Sequence, residues 1–434
     1  MREWKETEIG QIPINWEVGT IDNIAEVVTD GAHSSPKLFL GGRYMASVKD
    51  MTYNSFDFSE CKTISELDFE NLKRQGCSPK RGDILISKDG EKCLDLIFVY
   101  NQEEEIVLLS SIAIVRLKKN YNVHFYRYYL LSYVAQTIMY KWFRSGSAIP
   151  RVVLRDFKKV PVPIIGRKEQ DNIASILLNI DKKISLLRQQ NQDLEELAQT
   201  LFKRWFVEFE FPNENGEPYK SSGGKMVESE LGEIPEGWRV GKLEDITSRI
   251  TDGSHFSPSS VENGLPMASV KDMNDWNFNI DSCRKISKED YDELVRNDCK
   301  PLKNDILIAK DGSYLKHVFV APKDLDVVLL SSIAMLRPNG DYHPILLSIF
   351  LKLKSTIREM KNIVSGAVIE RIVLKDFRKF SLIIPSIDIQ MEASLQIEPL
   401  IKKCWTNIDE IQTLTQLRNT LLPKLMSGEL RVKN

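Results

Sequence analysis

The sequence predicts an α+β protein with two similar heads of mixed strands and short helices, joined by two long helices that form an antiparallel coiled coil. Three observations carry that expectation. The chain of 434 residues contains the stretch "MASVKDM" twice, at Met45–Met51 and Met267–Met273, inside a much longer internal repeat. Each copy opens with short apolar runs separated by turn residues, which is the pattern of strands. Each copy closes with a long segment whose apolar residues recur at helical spacing.

The repeat comes first. Ile9–Gly90 aligns without gaps on Leu231–Gly312, and 37 of the 82 pairs are identical. Matched pieces include "IP..W.VG", "TDG.H", "DILI.KDG" and, after one residue of slippage, "VLLSSIA" at Val107–Ala113 and Val328–Ala334. The register continues through "SG" at 145 and 365 to "LRDFKK" (Leu154–Lys159) against "LKDFRK" (Leu374–Lys379). A period of about 220 residues is too long for a solenoid and signals duplication of a domain pair. The expected division is a head at 1–165, a helix at 166–209, a linker at 210–228, a head at 229–386 and a helix at 387–434. The linker "FPNENGEPYKSSGGKMVESE" is rich in Gly, Ser, Pro and Asn.

Within a head, "MASVKDM" alternates apolar and polar residues, as a strand with one buried face does. "GDILISKDG" reads as a strand closed by Asp-Gly, a favoured hairpin turn. "EIVLLSSIAIVRLK" reads as a strand or strand pair. "HFYRYYLLSYVAQTIMYKWFR" reads as an amphipathic helix. The loop "SGSAIPR", or "SGAVIER" in the second copy, then leads to a terminal strand and the long helix.

In the first long helix a 4-3 alternation runs through Ile173, Leu177, Ile180, Ile184, Leu187, Asn191, Leu194, Ala198, Leu201 and Trp205. Such spacing is that of a coiled coil. A polar residue at one core position can fix register and partner orientation, which is the role open to Asn191; a local stutter that turns it to solvent is the alternative. The second helix, Gln390–Leu425, keeps Ile397, Leu400, Ile408, Ile411, Leu414, Leu417, Leu421 and Leu425 at less regular spacing. Antiparallel pairing of the two helices would hold the heads at opposite ends of a rod.

Composition and motifs narrow the function. No apolar run approaches the roughly 20 residues that span a bilayer, and the N-terminus is no secretory signal. The six cysteines include no C-x-x-C pair, which points to free thiols in a reducing cytoplasm. A net charge of −2 excludes a general polycation, so any nucleic-acid surface must be local. "SGGKM" lacks the leading Gly and the hydroxyl of a phosphate loop, and no dinucleotide, zinc-protease or nucleophile-elbow motif appears. The Asn/Asp-Pro-Pro-aromatic signature of amino-methylating enzymes is also missing. No catalytic, cofactor or metal site is expected on this chain.

The copies instead share basic and polar residues at loops and strand ends. The matched pairs are His33/His255, Lys49/Lys271, Lys88/Lys310, Arg116/Arg337, Arg151/Arg371 and Lys158/Arg378. Lys and Arg at loop tips suit phosphate contacts, and Arg can also read guanine bidentately. Each can equally be a solvated surface charge. "TDG.H" can be a capped turn with an incidental histidine, and the identity of "MASVKDM" can reflect packing alone. His33, Lys49, Lys88, Arg116, Arg151, His255, Lys271, Lys310, Arg337 and Arg371 are the DNA-binding candidates. Two other classes stand beside DNA recognition. One is a metal-dependent nuclease built on "KDG" and "TDG.H"; the other is a duplicated coiled-coil adaptor that binds only proteins.

The sequence resembles a known family at three places. "ETEIGQIPINWEVG" and "ESELGEIPEGWRVG" look like the start of a target-recognition domain in type I restriction–modification specificity subunits. "KRWFVEFEFPNENGEPYKSSGGKM" is similar to the family's central conserved region, and "LRNTLLPKLMSGELRV" to its distal one. The resemblance covers nearly the whole chain. It implies two target-recognition domains that bind a bipartite double-stranded DNA site with a non-specific gap. It implies no catalysis on this chain, which would position two DNA-adenine methylating subunits that use S-adenosylmethionine. Two restriction subunits using ATP and Mg2+ would join in the full complex, in the cytoplasm. The heads here are unusually alike for that family.

Overall fold

The structure is a computed structural model that describes residues 3–145, 150–310, 317–362, 364–365 and 371–432. It divides into two compact units, Met1–Ser185 with Gln412–Asn434, and Leu186–Ile411.

The first unit is built on a four-stranded antiparallel sheet of β1 (Ala25–Asp30), β2 (Ile84–Ser87), β3 (Ile97–Val99) and β4 (Ile112–Leu117), in the order β1-β4-β2-β3. Its strands "ILIS", "IFV" and "IAIVRL" are near-continuous apolar runs because both faces are covered. Ile84, Ile86, Ile97, Val99, Ala113 and Val115 face a core with Trp16, Phe125 and Tyr129. Leu85, Phe98, Ile112 and Ile114 face a second core with Met51, Phe56 and Tyr100. A small sheet places Arg43–Ala46 between Thr63–Ile64 and Val107–Leu108, the latter pairing in parallel. "EIVLLSSIAIVRLK" therefore supplies two strands, one to each sheet.

Three local expectations change. "MASVKDM" is a strand only through Ala46 and then turns as a 3-10 helix at Val48–Asp50. The Asp50 carboxylate accepts from both the backbone N–H and the hydroxyl of Ser47, at 2.7 and 2.8 Å, which stops the strand. "KDG" is no two-residue turn but opens the longer loop Lys88–Leu96, with Gly90 at φ +89°. The expected single helix splits into Val123–Leu131 and Tyr133–Ile138, because Ser132 is extended and its hydroxyl caps the Ala135 N–H.

The second unit repeats this plan with β5 (Thr247–Asp252), β6 (Ile306–Ala309), β7 (Val318–Val320) and β8 (Ile333–Pro338) in the order β5-β8-β6-β7. The segment read as a linker is packed into this unit. Phe211 is buried and stacks on Trp238 and Tyr219, with ring centroids 5.2 and 4.6 Å apart.

The long helices are α1 (Arg167–Phe206) and α2 (Ile387–Met426), 40 residues each, or about 60 Å at the usual rise. In each unit a segment of one packs antiparallel on a segment of the other. In the first, Leu177 shares a core with Leu425 and Asp181 pairs with Arg418. In the second, Ala198 and Phe202 share a core with Ile397 and Ile401. Every heptad position from Ile173 to Trp205 is buried or half-buried. Asn191 is 4% exposed, so the stutter alternative falls. The seam of α2 corrects the sequence reading. It runs Ala393, Ile397, Leu400, Cys404, Asn407, Ile411, Leu414, Arg418, Leu421 and Leu425, while Leu417 lies outside it at 45% exposed.

Candidate nucleic-acid interface

The repeated motifs meet at one corner of each unit. β1 ends at Asp30, where Gly31 lies so close to the next strand that a Cβ would sit 2.1 Å from the Leu108 carbonyl oxygen. No larger residue fits, and the tight passage fixes where His33 emerges. Ser111 then ties the other motifs together. Its hydroxyl accepts from the Val48 N–H of "MASVKDM" at 3.4 Å, and its carbonyl accepts from the Lys88 N–H of "KDG" at 2.9 Å. The second unit repeats each link. Gly253 meets the Leu329 carbonyl, Ser332 accepts from the Val270 N–H at 3.1 Å, and Lys310 N–H donates to Ser332 at 2.9 Å.

Charge at the corner follows the same plan. The Lys88 ammonium, 6% exposed, lies 3.2 Å from Asp30 Oδ2 and 3.5 Å from Asp89. The other Asp30 oxygen, Oδ1, lies 3.3 Å from Nε2 of His33, whose side chain is 74% exposed. In the second unit buried Lys310 pairs with Asp252, and Asp252 Oδ1 lies 3.3 Å from Nε2 of His255, 75% exposed. Lys49 and Lys271 stand on the 3-10 turns, exposed and with no ion pair among the described residues. Arg151 joins the first corner, Nε 3.2 Å from Asp89, and the adjacent Val152 N–H donates to the Lys88 carbonyl. Ile372 N–H donates likewise to Lys310, which places Arg371 at the second corner; its side chain lies outside the described residues, as does most of the loop 366–371.

Arg116 and Arg337 are elsewhere. Arg116 sits four residues along β4 from Ile112, about 14 Å at the usual strand rise, at the far end of the sheet. There it makes a two-pronged pair with buried Asp83, at 2.9 and 2.7 Å, and Arg337 pairs with Asp305 at 2.9 and 2.9 Å. Each lines a cleft of about 420 Å³. Lys158 and Arg378 lie off the corner as well, near Asp22 and on the Ile250 carbonyl. The candidates thus form two groups, with His33, Lys49, Lys88 and Arg151 together and Arg116 apart.

Burial pushes the thiols of Cys61, Cys283 and Cys404 up to about 12, so they stay protonated. Among the described residues no three His, Cys, Asp or Glu side chains converge to hold a metal ion, and no helix is long and apolar enough to cross a membrane.

Sequence reasoning missed two polar residues in the helix seam. Arg418 donates to Asp181 at 3.0 Å, and the same carboxylate accepts from Tyr128 and Arg127 at 2.6 and 3.2 Å. Asn407 donates to Asn191 Oδ1 at 2.8 Å, while Asn191 donates to the Cys404 carbonyl at 3.2 Å. The gap that each leaves in the apolar 4-3 pattern was the available signal.

The model of the type I restriction modification DNA specificity domain matches residues 13–196 and again 235–416. The chain belongs to that family. Among similar proteins, the type I restriction enzyme MjaIX specificity subunit of Methanocaldococcus jannaschii is 26% identical, over 99% of this chain and 97% of its own. The HindI specificity subunit of Haemophilus influenzae is 22% identical, over 99% of this chain and 100% of its own. The crystal structure of a type I restriction–modification S subunit from M. genitalium shares the fold, with a TM-score of 0.54, 17% identity, and coverage of 95% and 96% of the two chains. Type I specificity subunits are non-catalytic DNA-recognition proteins that work with modification and restriction subunits, and two specificity domains in one chain support a bipartite target.

Proposed function

We propose that this chain directs two DNA-adenine methylating subunits, and in the full complex two restriction subunits, to one bipartite site with a non-specific gap. S-adenosylmethionine, ATP and Mg2+ belong to those partners, and the assembly works in the cytoplasm. In each head the repeated corner faces DNA. Lys49 and Lys271 meet phosphate, and Arg151 and Arg371 flank the contact. One observation carries this reading: "TDG.H", "MASVKDM", "KDG" and "VLLSSIA" build the same corner in both units. Of the residues kept through a duplication that changed most others, those gathered at this solvent-facing corner are the candidates for contact with a shared ligand.

The test is methyl transfer. Highly purified chain with S-adenosylmethionine should modify no DNA. Adding the methylating subunit should place N6-methyladenine within one bipartite sequence. Modification by the chain alone, or modification without sequence preference in the complex, would overturn the reading.

A further inference from the structure

We infer that Lys88 and Lys310 do not touch DNA: they are positioning residues that clamp Asp30 and Asp252, which in turn aim His33 and His255 at the duplex. This rests on the DNA-facing role proposed for the corner and divides the labour within it. Lys88 was a phosphate candidate by sequence, but its ammonium is buried and committed to two carboxylates. The exposed groups at the same place are the imidazole, beside Asp30, and the Arg151 guanidinium, beside Asp89. Asp30 offers one oxygen to each, with Oδ2 lying 3.2 Å from the ammonium and Oδ1 3.3 Å from Nε2 of the ring. An imidazole tethered through one nitrogen presents the other outward in a fixed direction, which suits a single directed contact with a base edge or phosphate.

Repetition makes the case specific. Beyond the 37 identities, the aligned stretch has diverged at 45 of its 82 positions, including both flanks of the histidine loop. "KLFLGGRY" stands where the second copy has "SSVENGLP". Yet the His–Asp distance is 3.3 Å in both units, both imidazoles are about three-quarters exposed, and both lysines are buried. A merely solvated histidine needs no buried ion pair behind it. Gly31 and Gly253 add the backbone half of the same device, by pinning the loop one residue after the aspartate.

The experiment uses the full complex with the methylating subunit and its own target duplex, titrated over a range of salt. Variants are His33→Ala, Lys88→Met and the pair together, with His255→Ala and Lys310→Met as the second set. His33→Ala should weaken target binding roughly tenfold. Lys88→Met should weaken it similarly without changing the salt slope, because no phosphate contact is lost. The double variant should be no weaker than the worse single one, since both changes remove the same contact. A salt slope smaller by about one in Lys88→Met, or additive losses, would overturn the inference in favour of a direct phosphate contact. If Lys88→Met fails to fold, surface-exposed His33→Ala still decides, because wild-type affinity there ends the proposal. Wild-type complex that prefers no duplex would instead remove the functional reading beneath it.

Discussion

The two units repeat one sequence plan, yet they differ where each grips the long helices. In the first, the grip is ionic. Asp181 on α1 accepts from Arg418 on α2 and from Arg127 and Tyr128 of the head. In the second, the grip is a pair of amides, Asn191 and Asn407, with Lys352 of the head reaching Glu195 at 2.8 Å over the Trp276 ring. The clefts beside Arg116 and Arg337 diverge in the same way. Lys80, Arg81, Lys118, Lys119 and Arg167 line the first, while the second keeps Lys303 and is otherwise lined at its rim by Asn339, Gly340, Ile387 and Met391. The repeated corners, by contrast, keep the same links, with the His–Asp distance at 3.3 Å and the Lys N–H to Ser carbonyl bond at 2.9 Å in both units. Mismatched polar partners along the two helices penalise wrong pairing, because a shifted register would bury charge or amide without its partner. The duplication therefore kept a common corner and diversified the contacts that assign each helix segment to its own head.

The largest expected effect is on the ionic grip. Asp181→Ala leaves two guanidinium groups facing each other at a buried position and should cost about 3–5 kcal/mol of first-unit stability in denaturant unfolding. The acid dependence has a definite sign. Burial opposes ionisation of Asp181, but hydrogen bonds from Tyr128 and Arg418 and the charge of Arg127 hold its carboxyl below the usual range. That contribution is complete above the unfolded value of about 4 and is lost as pH falls through the depressed folded value. Asp181→Asn should flatten this part of the acid profile, and an unchanged profile would refute the role.

The amide grip should matter less. Asn407→Leu leaves Asn191 Oδ1 buried without its donor and should cost about 1–3 kcal/mol. Replacing both Asn191 and Asn407 by Leu should recover that loss while loosening the register, read as broader hydrogen-exchange protection along the seam. A double variant less stable than either single one would mean that the pair supplies stability rather than register.

Other effects are confined to DNA and leave stability unchanged. Leu38, Phe39 and Leu40 are 62, 56 and 84% exposed in the loop after His33. Changing all three to Ser should leave unfolding unaltered and shift preference in one half-site only, by about 1–3 kcal/mol per base affected. Equal effects on both half-sites would break the link between divergent loops and divergent bases. Lys49→Ala should lower affinity evenly across sequences and reduce the salt slope by about one.

Much of this was legible beforehand, and the exceptions share a cause. The heptads from Ile173 to Trp205 predicted the buried stripe of α1, because burial in a helix follows a fixed period. The repeat predicted two like units. What could not be read was which basic residues are buried. Lys88 and Lys49 look equivalent in one dimension, but Lys88 follows a central strand and meets Asp30 across the sheet, whereas Lys49 stands on a turn. Arg116 was grouped with them because sequence does not reveal which end of a strand a pair will occupy. Arg418 and Asn407 were overlooked because pattern reading counts apolar residues, and a core position filled by a matched polar pair looks like a break.

The most direct test of the central claim is genome-wide mapping of N6-methyladenine in cells with and without this gene. One motif should vanish with the gene, split into two parts by a gap of fixed length, with one methylated adenine in each half on opposite strands. Because the corners match, the two halves should share bases after reverse complementation. No motif lost, or a single uninterrupted one, would contradict two reading heads in one chain.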